Sequence, residues 1–345
     1  MTMARVLVTG GSGFIGQALL HRLVDRGEEV VALARSDASA AALAGAGAQV
    51  ARGDVLDEES LTGAMHGCAL VYHVAGINTM CPADPAELFH VNVRGAELTV
   101  RAAARAGVGR VVLTSSAAAL GEARGTIGSE NSPHRGEFLS VYERSKHEGE
   151  AAAFAAGRAA GVDVVAVNPS SVQGPGRAGG TGRILIAYLN GRLKAFVDTT
   201  LTLVDIEDTV QGHLLAAERG VPGRRYVLAG AAMTSREALA VVSELSGVTD
   251  RPRLLPAPVA EVGAAAVEAA FRLRGRTPPI CREMVRTLLH GHRYDGSRAA
   301  RELGVVYTPV RETFRRTIAW ALEAGLITRP LPAWESPASR AGTSA

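Results

Sequence analysis

The stretch Arg5-Val-Leu-Val-Thr9-Gly10-Gly11-Ser12-Gly13-Phe14-Ile15-Gly16 decides the reading of the fold. A β-branched run ends in a glycine-rich turn, and an apolar helical pattern begins at Phe14. This is strand, phosphate loop and helix, the opening unit of a dinucleotide-binding sheet. Gly10 permits the tight turn, and Gly13 lets backbone approach a pyrophosphate. Gly16 lets the helix pack on the strand, while Ser12, Phe14 and Ile15 complete a helix N-terminus whose N–H groups face an anion. The spacing is Gly-x-x-Gly-x-x-Gly, and any tight strand-to-helix turn favours glycine. The flanking strand and helix give it meaning.

Outward from that unit, the chain alternates strands and helices. Glu29–Ala34 reads as a second strand, ending at Arg35. An acid there accepts from the ribose 2′-hydroxyl of NAD, whereas an arginine suits the 2′-phosphate of NADP. Arg35 therefore favours NADP, with NAD the alternative because Asp37 follows closely; a plain loop arginine is the bland reading. A third strand, 48–53, is closed by Asp54, Val55 and then Asp57. A carboxylate just past such a strand can accept from an adenine amino group, or else caps the helix before Glu58. A fourth strand, 69–74, ends in Val74, Ala75 and Gly76, small enough to admit a ligand. Asn92 interrupts the next helix, either pairing with backbone or facing solvent. The fifth strand, 109–114, runs into Ser115 and Ser116. The helix after it carries Tyr142 and Lys146, four apart and so on one face. A sixth strand, 163–168, runs into Pro169-Ser170-Ser171 and Gln173 to Arg177, an irregular lining for a cleft.

Composition bounds the rest. The 345 residues are 47% hydrophobic and 21% charged, with a formal net charge of +3. That is a globular chain without the basic blocks of a nucleic-acid binder. No apolar run approaches the roughly 20 residues of a membrane span. Cys68, Cys81 and Cys281 have no metal-ligand spacing, and so sparse a set reads as reduced thiols in a cytoplasmic protein. No metal is expected.

Glycine turn, acid after the third strand, serine after the fifth and Tyr-x-x-x-Lys, in that order, resemble the short-chain dehydrogenase/reductase superfamily. Thr9 to Gly16 and the C-terminal extension resemble its extended branch. His73-Val-Ala-Gly76, Asn92-Val-Arg-Gly95, Asn168-Pro-Ser-Ser171 and Val204-Asp-Ile-Glu-Asp208 look like further landmarks. Gly191-Arg192 to Thr199 and Gly212-His213-Leu214-Leu215 are similar to dihydroflavonol-reductase-like proteins and hopanoid-associated sugar epimerases. The resemblance implies an α/β fold, a Rossmann-type doubly wound parallel sheet with a smaller, mostly helical C-terminal substrate-binding cap. Residues 1–168 would form the NAD(P)-binding domain, with 201–230 returning to it. Residues 169–200 and 231–330 would form the cap, and 331–345 an unpacked tail.

It also implies roles. Tyr142 would be the general acid/base, its phenol lowered by the Lys146 ammonium and by the oxidised nicotinamide. Lys146 would hold the nicotinamide ribose. Ser116, five residues before Gly121, would bind the substrate oxygen. The backbone of Pro169 and Ser171 would meet the carboxamide, and Asn92 would be structural or relay. Substrate would lie near Asn78, Thr79, Gln173, Arg177 and Tyr188, beside the stretch from Cys281 to Met284. Two activities fit: an NADPH-dependent reductase of a ketone or aldehyde, or an NAD-dependent epimerase of a nucleotide-linked sugar. Arg177, Arg183 and Arg192 are the candidate cations for a diphosphate. A non-catalytic dinucleotide-binding protein is a third reading, opposed by the intact Ser116, Tyr142 and Lys146. The alanine-rich faces of the helices spanning 94–105 and 142–160 would, as in relatives, make a homodimer.

Overall fold

The computed structural model describes residues 4–334. In chain order the first half forms β1 (Arg5–Thr9), α1 (Phe14–Asp25), β2 (Glu29–Ala34), α2 (Asp37–Gly45), β3 (Gln49–Arg52), α3 (Glu58–Ala64) and β4 (Leu70–His73). Next come α4 (Pro85–Phe89), a π-helical turn His90–Arg94, α5 (Gly95–Arg105), β5 (Arg110–Thr114), α6 (Val141–Ala160) and β6 (Asp163–Pro169). The second half adds β7 (Ser171–Gln173), α7 (Thr181–Leu189), β8 (Ala195–Val197), β9 (Thr200–Asp205), α8 (Ile206–Arg219) and β10 (Arg225–Leu228). It closes with β11 (Ala231–Thr234), α9 (Ser235–Ser246), β12 (Arg253–Leu255), α10 (Ala257–Arg272), α11 (Arg282–His290) and α12 (Val310–Glu323).

Seven strands form one parallel sheet in the order β3-β2-β1-β4-β5-β6-β10. That is the dinucleotide-binding order extended by one edge strand. Alternation along β1 splits the core in two. Val6 and Val8 face α1 and α8, packing with Leu19, Leu23, Val210 and Leu214. Leu7 faces the opposite layer, with Leu61, Leu98 and Phe154. Both faces are covered, which is why the strands read as near-continuous apolar runs.

The cap has its own core, in which Leu185, Leu189, Val242, Phe314 and Ile318 are buried. Beside it run a three-stranded sheet, β11-β9-β7, and the β12-β8 pair. β11 and β12 lie in a stretch that reads as mostly helical, because three or four residues show no period. The division between sheet domain and cap is also less clean than the sequence suggests. Ala299, Leu303 and Val305 pack into the large sheet's core, far along the supposed cap. The start of the expected tail corrects as well. Leu331 and Trp334 pack on the cap core, and Ala333 donates its N–H to the Ser246 carbonyl at 3.2 Å. Apolar side chains there cover surface that the helices leave open. Residues 335–345 lie outside the described residues.

The thiol expectation is corrected too. Cys81 and Cys281 form a disulfide across a sequence separation of 200, with Cα atoms 5.8 Å apart; Cys68 alone stays free, and buried. The bond ties the loop after β4 to the start of α11, a pairing no local spacing discloses. A cross-link closing so long a loop contributes up to about 5 kcal/mol in the chain-entropy account. Reduction, or Cys81→Ser, is expected to lower the thermal midpoint by several degrees in a calorimetric scan. An unchanged midpoint would mean the bond does not form in solution.

Candidate active site

One cleft of about 590 Å³ opens at the carboxyl edge of the large sheet. It is lined by Gly10, Ser12, Gly13, Phe14, Ile15, Gly16, Arg35, Val55, Val74, Ala75, Gly76, Asn78, Tyr142, Lys146 and Arg177, all singled out in the sequence. Thr114, Ser115, Ser36 and Ser39 line it too. Substrate and cofactor candidates therefore meet in one place, at the strand ends where such sheets bind ligands.

The glycine turn has the shape a dinucleotide needs. Gly10 sits at φ +70°, and a Cβ there would run into the Ala75 backbone. A Cβ on Gly16 would overlap the Gly10 carbonyl oxygen. Gly13 precedes α1 as its N-cap, with no side chain capping the helix and no acid in its first turn, so its N–H groups remain for an anion. These features fit a pyrophosphate-bearing cofactor.

At the other end of the cleft, Arg35 lies 3.8 Å from Asp54, with two-thirds of its side chain exposed. Ser36 caps α2 and bonds Ser39, so both hydroxyls are held beside Arg35. Asp37 points elsewhere and pairs with Arg52. Asp54 accepts from Leu56 N at 2.9 Å, while Asp57, not Asp54, caps α3.

α6 presents Tyr142, Lys146 and Glu150 at intervals of four, hence on one face. The Ser116 hydroxyl lies close enough to the Tyr142 phenol to draw its pKa down. It also accepts from Ala118 N at 3.2 Å, so it caps the short 3-10 turn Ala117–Leu120. Burial pushes the phenol above its ordinary value, opposed by Ser116 and by the Arg177 guanidinium. The nearby cation is thus Arg177, which stacks 5.1 Å over the Phe14 ring, and not Lys146 as the resemblance suggests. Lys146 turns toward the sheet and donates to the Thr114 carbonyl at 2.8 Å. Burial lowers its ammonium to about 8, with Glu150 pulling the other way.

Several candidates do not reach the cleft. Asn92 is buried and brackets Ile77, accepting from its N–H at 2.8 Å and donating to its carbonyl at 3.0 Å. It also donates to Ser145 Oγ, so it fixes the loop after β4 from behind, since a half-satisfied buried amide is costly. Tyr188 is enclosed in the cap core and donates to the Val248 carbonyl at 3.0 Å. Gln173 is buried and spent on Ser171 and Thr181. Pro169 and Ser171 sit at the β6–β7 junction, and Thr79 is exposed beyond the rim. Cys281 lines a separate surface cavity with Glu268 and Arg286.

Sequence reasoning missed the support beneath the site. Asn168 donates to the Ser116 carbonyl at 3.0 Å and to Glu150, which pairs with Arg225 at 2.6 Å. The continuing interval of four from Lys146 to Glu150 was the available signal. His73 and His213 are buried and held neutral by desolvation, lowered to about 3 and about 4. His73 meets Thr9, and His213 meets Thr114 at 2.8 Å; both fix strand ends under the cleft.

Residues 6–229 match the model of the NAD dependent epimerase/dehydratase family. The chain belongs to that family. It is an NAD(P)-dependent oxidoreductase of the extended short-chain dehydrogenase/reductase type. It is 36% identical to sterol demethylase protein B of Methylococcus capsulatus over 93% of this chain and 99% of that one. It is 31% identical to a putative dihydroflavonol 4-reductase of a Synechocystis species, over 93% and 95%. Among solved structures, that of gox2253 superposes with a TM-score of 0.82 at 30% identity, covering 94% of this chain and 99% of the other. Among the described residues, no helix is long and apolar enough to cross a membrane.

Proposed function

We propose that this family member is an NADPH-dependent carbonyl reductase acting on a ketone or aldehyde of a mid-sized metabolite. The observation that carries the reading is that Tyr142 and Lys146 line the dinucleotide-shaped cleft together, with the Ser116 hydroxyl close to the phenol. A nicotinamide held in this cleft would supply the hydride. Ser116 and Tyr142 hold the substrate oxygen between them, and Tyr142 Oη gives its proton to that oxygen as negative charge develops there. Raised by burial, the phenol stays protonated through neutral pH, which suits a proton donor. Lys146, anchored on Thr114, would hold the nicotinamide ribose, and Arg177 and Phe14 line the cleft together.

The cofactor preference rests on the adenosine end. Arg35, Ser36 and Ser39 offer a cation and two hydroxyls for a 2′-phosphate, while Asp37 is engaged by Arg52. Relatives named for a demethylase of sterols and a reductase of dihydroflavonols favour an apolar, ring-bearing substrate.

The deciding measurement is mass spectrometry of the nucleotide released on denaturing freshly purified protein. Released NADP, or an empty protein that oxidises NADPH with carbonyl compounds, supports the reductase. Stoichiometric NAD would support the epimerase instead, because an internal redox cycle keeps its cofactor resident. Arg35→Glu is expected to weaken NADPH at least about tenfold more than NADH, the worth of one charge-assisted contact. Equal losses would remove Arg35 from that role.

A further inference from the structure

Away from the cleft, the loop after Ser116 meets the segment leaving α11. Glu122 is 1% exposed, and its carboxylate faces His290 and His292. Glu122 Oε1 lies 2.7 Å from His292 Nδ1 and 3.7 Å from His290 Nε2. The Tyr294 hydroxyl stands 3.0 Å from the same His292 Nδ1. One donor atom from each of Glu122, His290 and His292 falls within 4.8 Å of the others.

We propose that Glu122, His290 and His292, completed by Tyr294, form a divalent-cation site of zinc-like chemistry that fastens the cap to the loop carrying Ser116. Neither the fold nor the hydride chemistry calls for it.

Three observations point to a cation. The first is orphaned valence: Glu122 Oε2 and His290 Nε2 are buried without a hydrogen-bond partner among the described residues. Buried polar atoms are seldom left so. The second is an overcrowded nitrogen. His292 Nδ1 is approached by both a carboxylate and a phenol, yet it carries either one proton or one lone pair. A cation among them would use all three lone pairs. The third is spacing, since tetrahedral zinc with ligand bonds near 2.1 Å separates its donors by about 3.4 Å. The observed 2.7 and 3.7 Å bracket that value.

The charge around the cluster agrees. Glu143 and Arg135 pair with each other, and Arg135 also donates to the Glu122 carbonyl at 3.1 Å. His134 is the other titratable group facing Glu122. The arginine beside the cluster is already engaged by Glu143, and a cation with two imidazoles and one carboxylate answers the Glu122 carboxylate.

The backbone holds the pieces ready. Gly128 donates to the Arg293 carbonyl at 2.8 Å, and Asp295 donates back to Gly128 at 2.9 Å. Thr202 Oγ1 donates to the His292 carbonyl and accepts from Tyr294 N. The donors thus sit on segments already stitched together, as a preformed site requires.

The test uses the full chain, stripped with a chelator and titrated with Co2+ as a spectroscopic probe. The expected result is one equivalent per chain, with the visible absorption of four-coordinate cobalt, displaced by one equivalent of Zn2+. Glu122→Gln and His290→Ala should each weaken binding at least about tenfold, whereas His21→Ala on the surface should not. Zn2+ should raise the thermal midpoint of the wild type and not of His290→Ala, with circular dichroism confirming that each variant folds. Absence of a cobalt spectrum in the wild type overturns the proposal whatever the variants do. Undiminished binding by folded Glu122→Gln and His290→Ala overturns it as well, and leaves a carboxylate–imidazole hydrogen-bond cluster.

Discussion

Tyr142→Phe is expected to lower turnover at least about a hundredfold while dinucleotide still binds. In the proposed reaction the phenol protonates a substrate oxygen held by Ser116, and loss of a positioned general acid costs about 10²–10⁴ in rate. The ring itself lines the cleft, so Phe keeps the shape and removes only the proton. Single-turnover kinetics with NADPH, beside a fluorescence titration of the cofactor, separates the two quantities. Near-normal turnover would strip Tyr142 of its role. The pH profile adds a sign. Lys146 is lowered to about 8 by burial, so its ammonium is present below that pH and lost above it, while the phenol, shifted upward, remains protonated. Reduction should therefore hold through neutrality and decline above about pH 8, with the decline absent in Lys146→Met.

Gly16→Ala is the second change with a large expected effect, and it acts on stability and on binding together. An added methyl would overlap the Gly10 carbonyl oxygen, which is main chain and cannot swing aside. Overpacking of this kind costs roughly 1–3 kcal/mol, and here the turn shaped for a pyrophosphate must itself shift. The expected outcome is a midpoint lower by roughly 5 °C and a cofactor affinity at least about tenfold weaker. Gly13→Ala is the informative partner. Its methyl would meet only the Gly10 oxygen, at 3.3 Å, and would project where a pyrophosphate approaches. It should cost binding with little loss of stability. If both variants lose stability alone, the turn is a folding element and not a phosphate cradle.

The two variants illustrate why the first βα unit was so legible. A strand, a turn that needs positive φ at Gly10 and a helix with small residues at its start are local events, and local sequence specifies them. The parallel strands read easily because both faces of the sheet are covered, so nearly every residue along them is apolar. Tyr142, Lys146 and the unnoticed Glu150 share a helix face by period alone. Where the period is absent, in β11 and β12, reading failed.

Residue type and spacing by themselves determined the α/β class, the dinucleotide-shaped turn and the membership of Arg35, Tyr142 and Lys146 in one cleft. Orientation was another matter. Whether Asp37 turns to the cleft or to Arg52, and whether Tyr188 lines a pocket or fills a core, depends on which neighbours compete for each side chain. Asn92 could equally have faced solvent; the unpaired Ile77 backbone after β4 drew it inward. The Cys81–Cys281 bond and the Glu122, His290 and His292 cluster join segments more than 160 residues apart. Only tertiary structure decided these, because contacts between distant segments arise when packing brings chain together, and no local period records them.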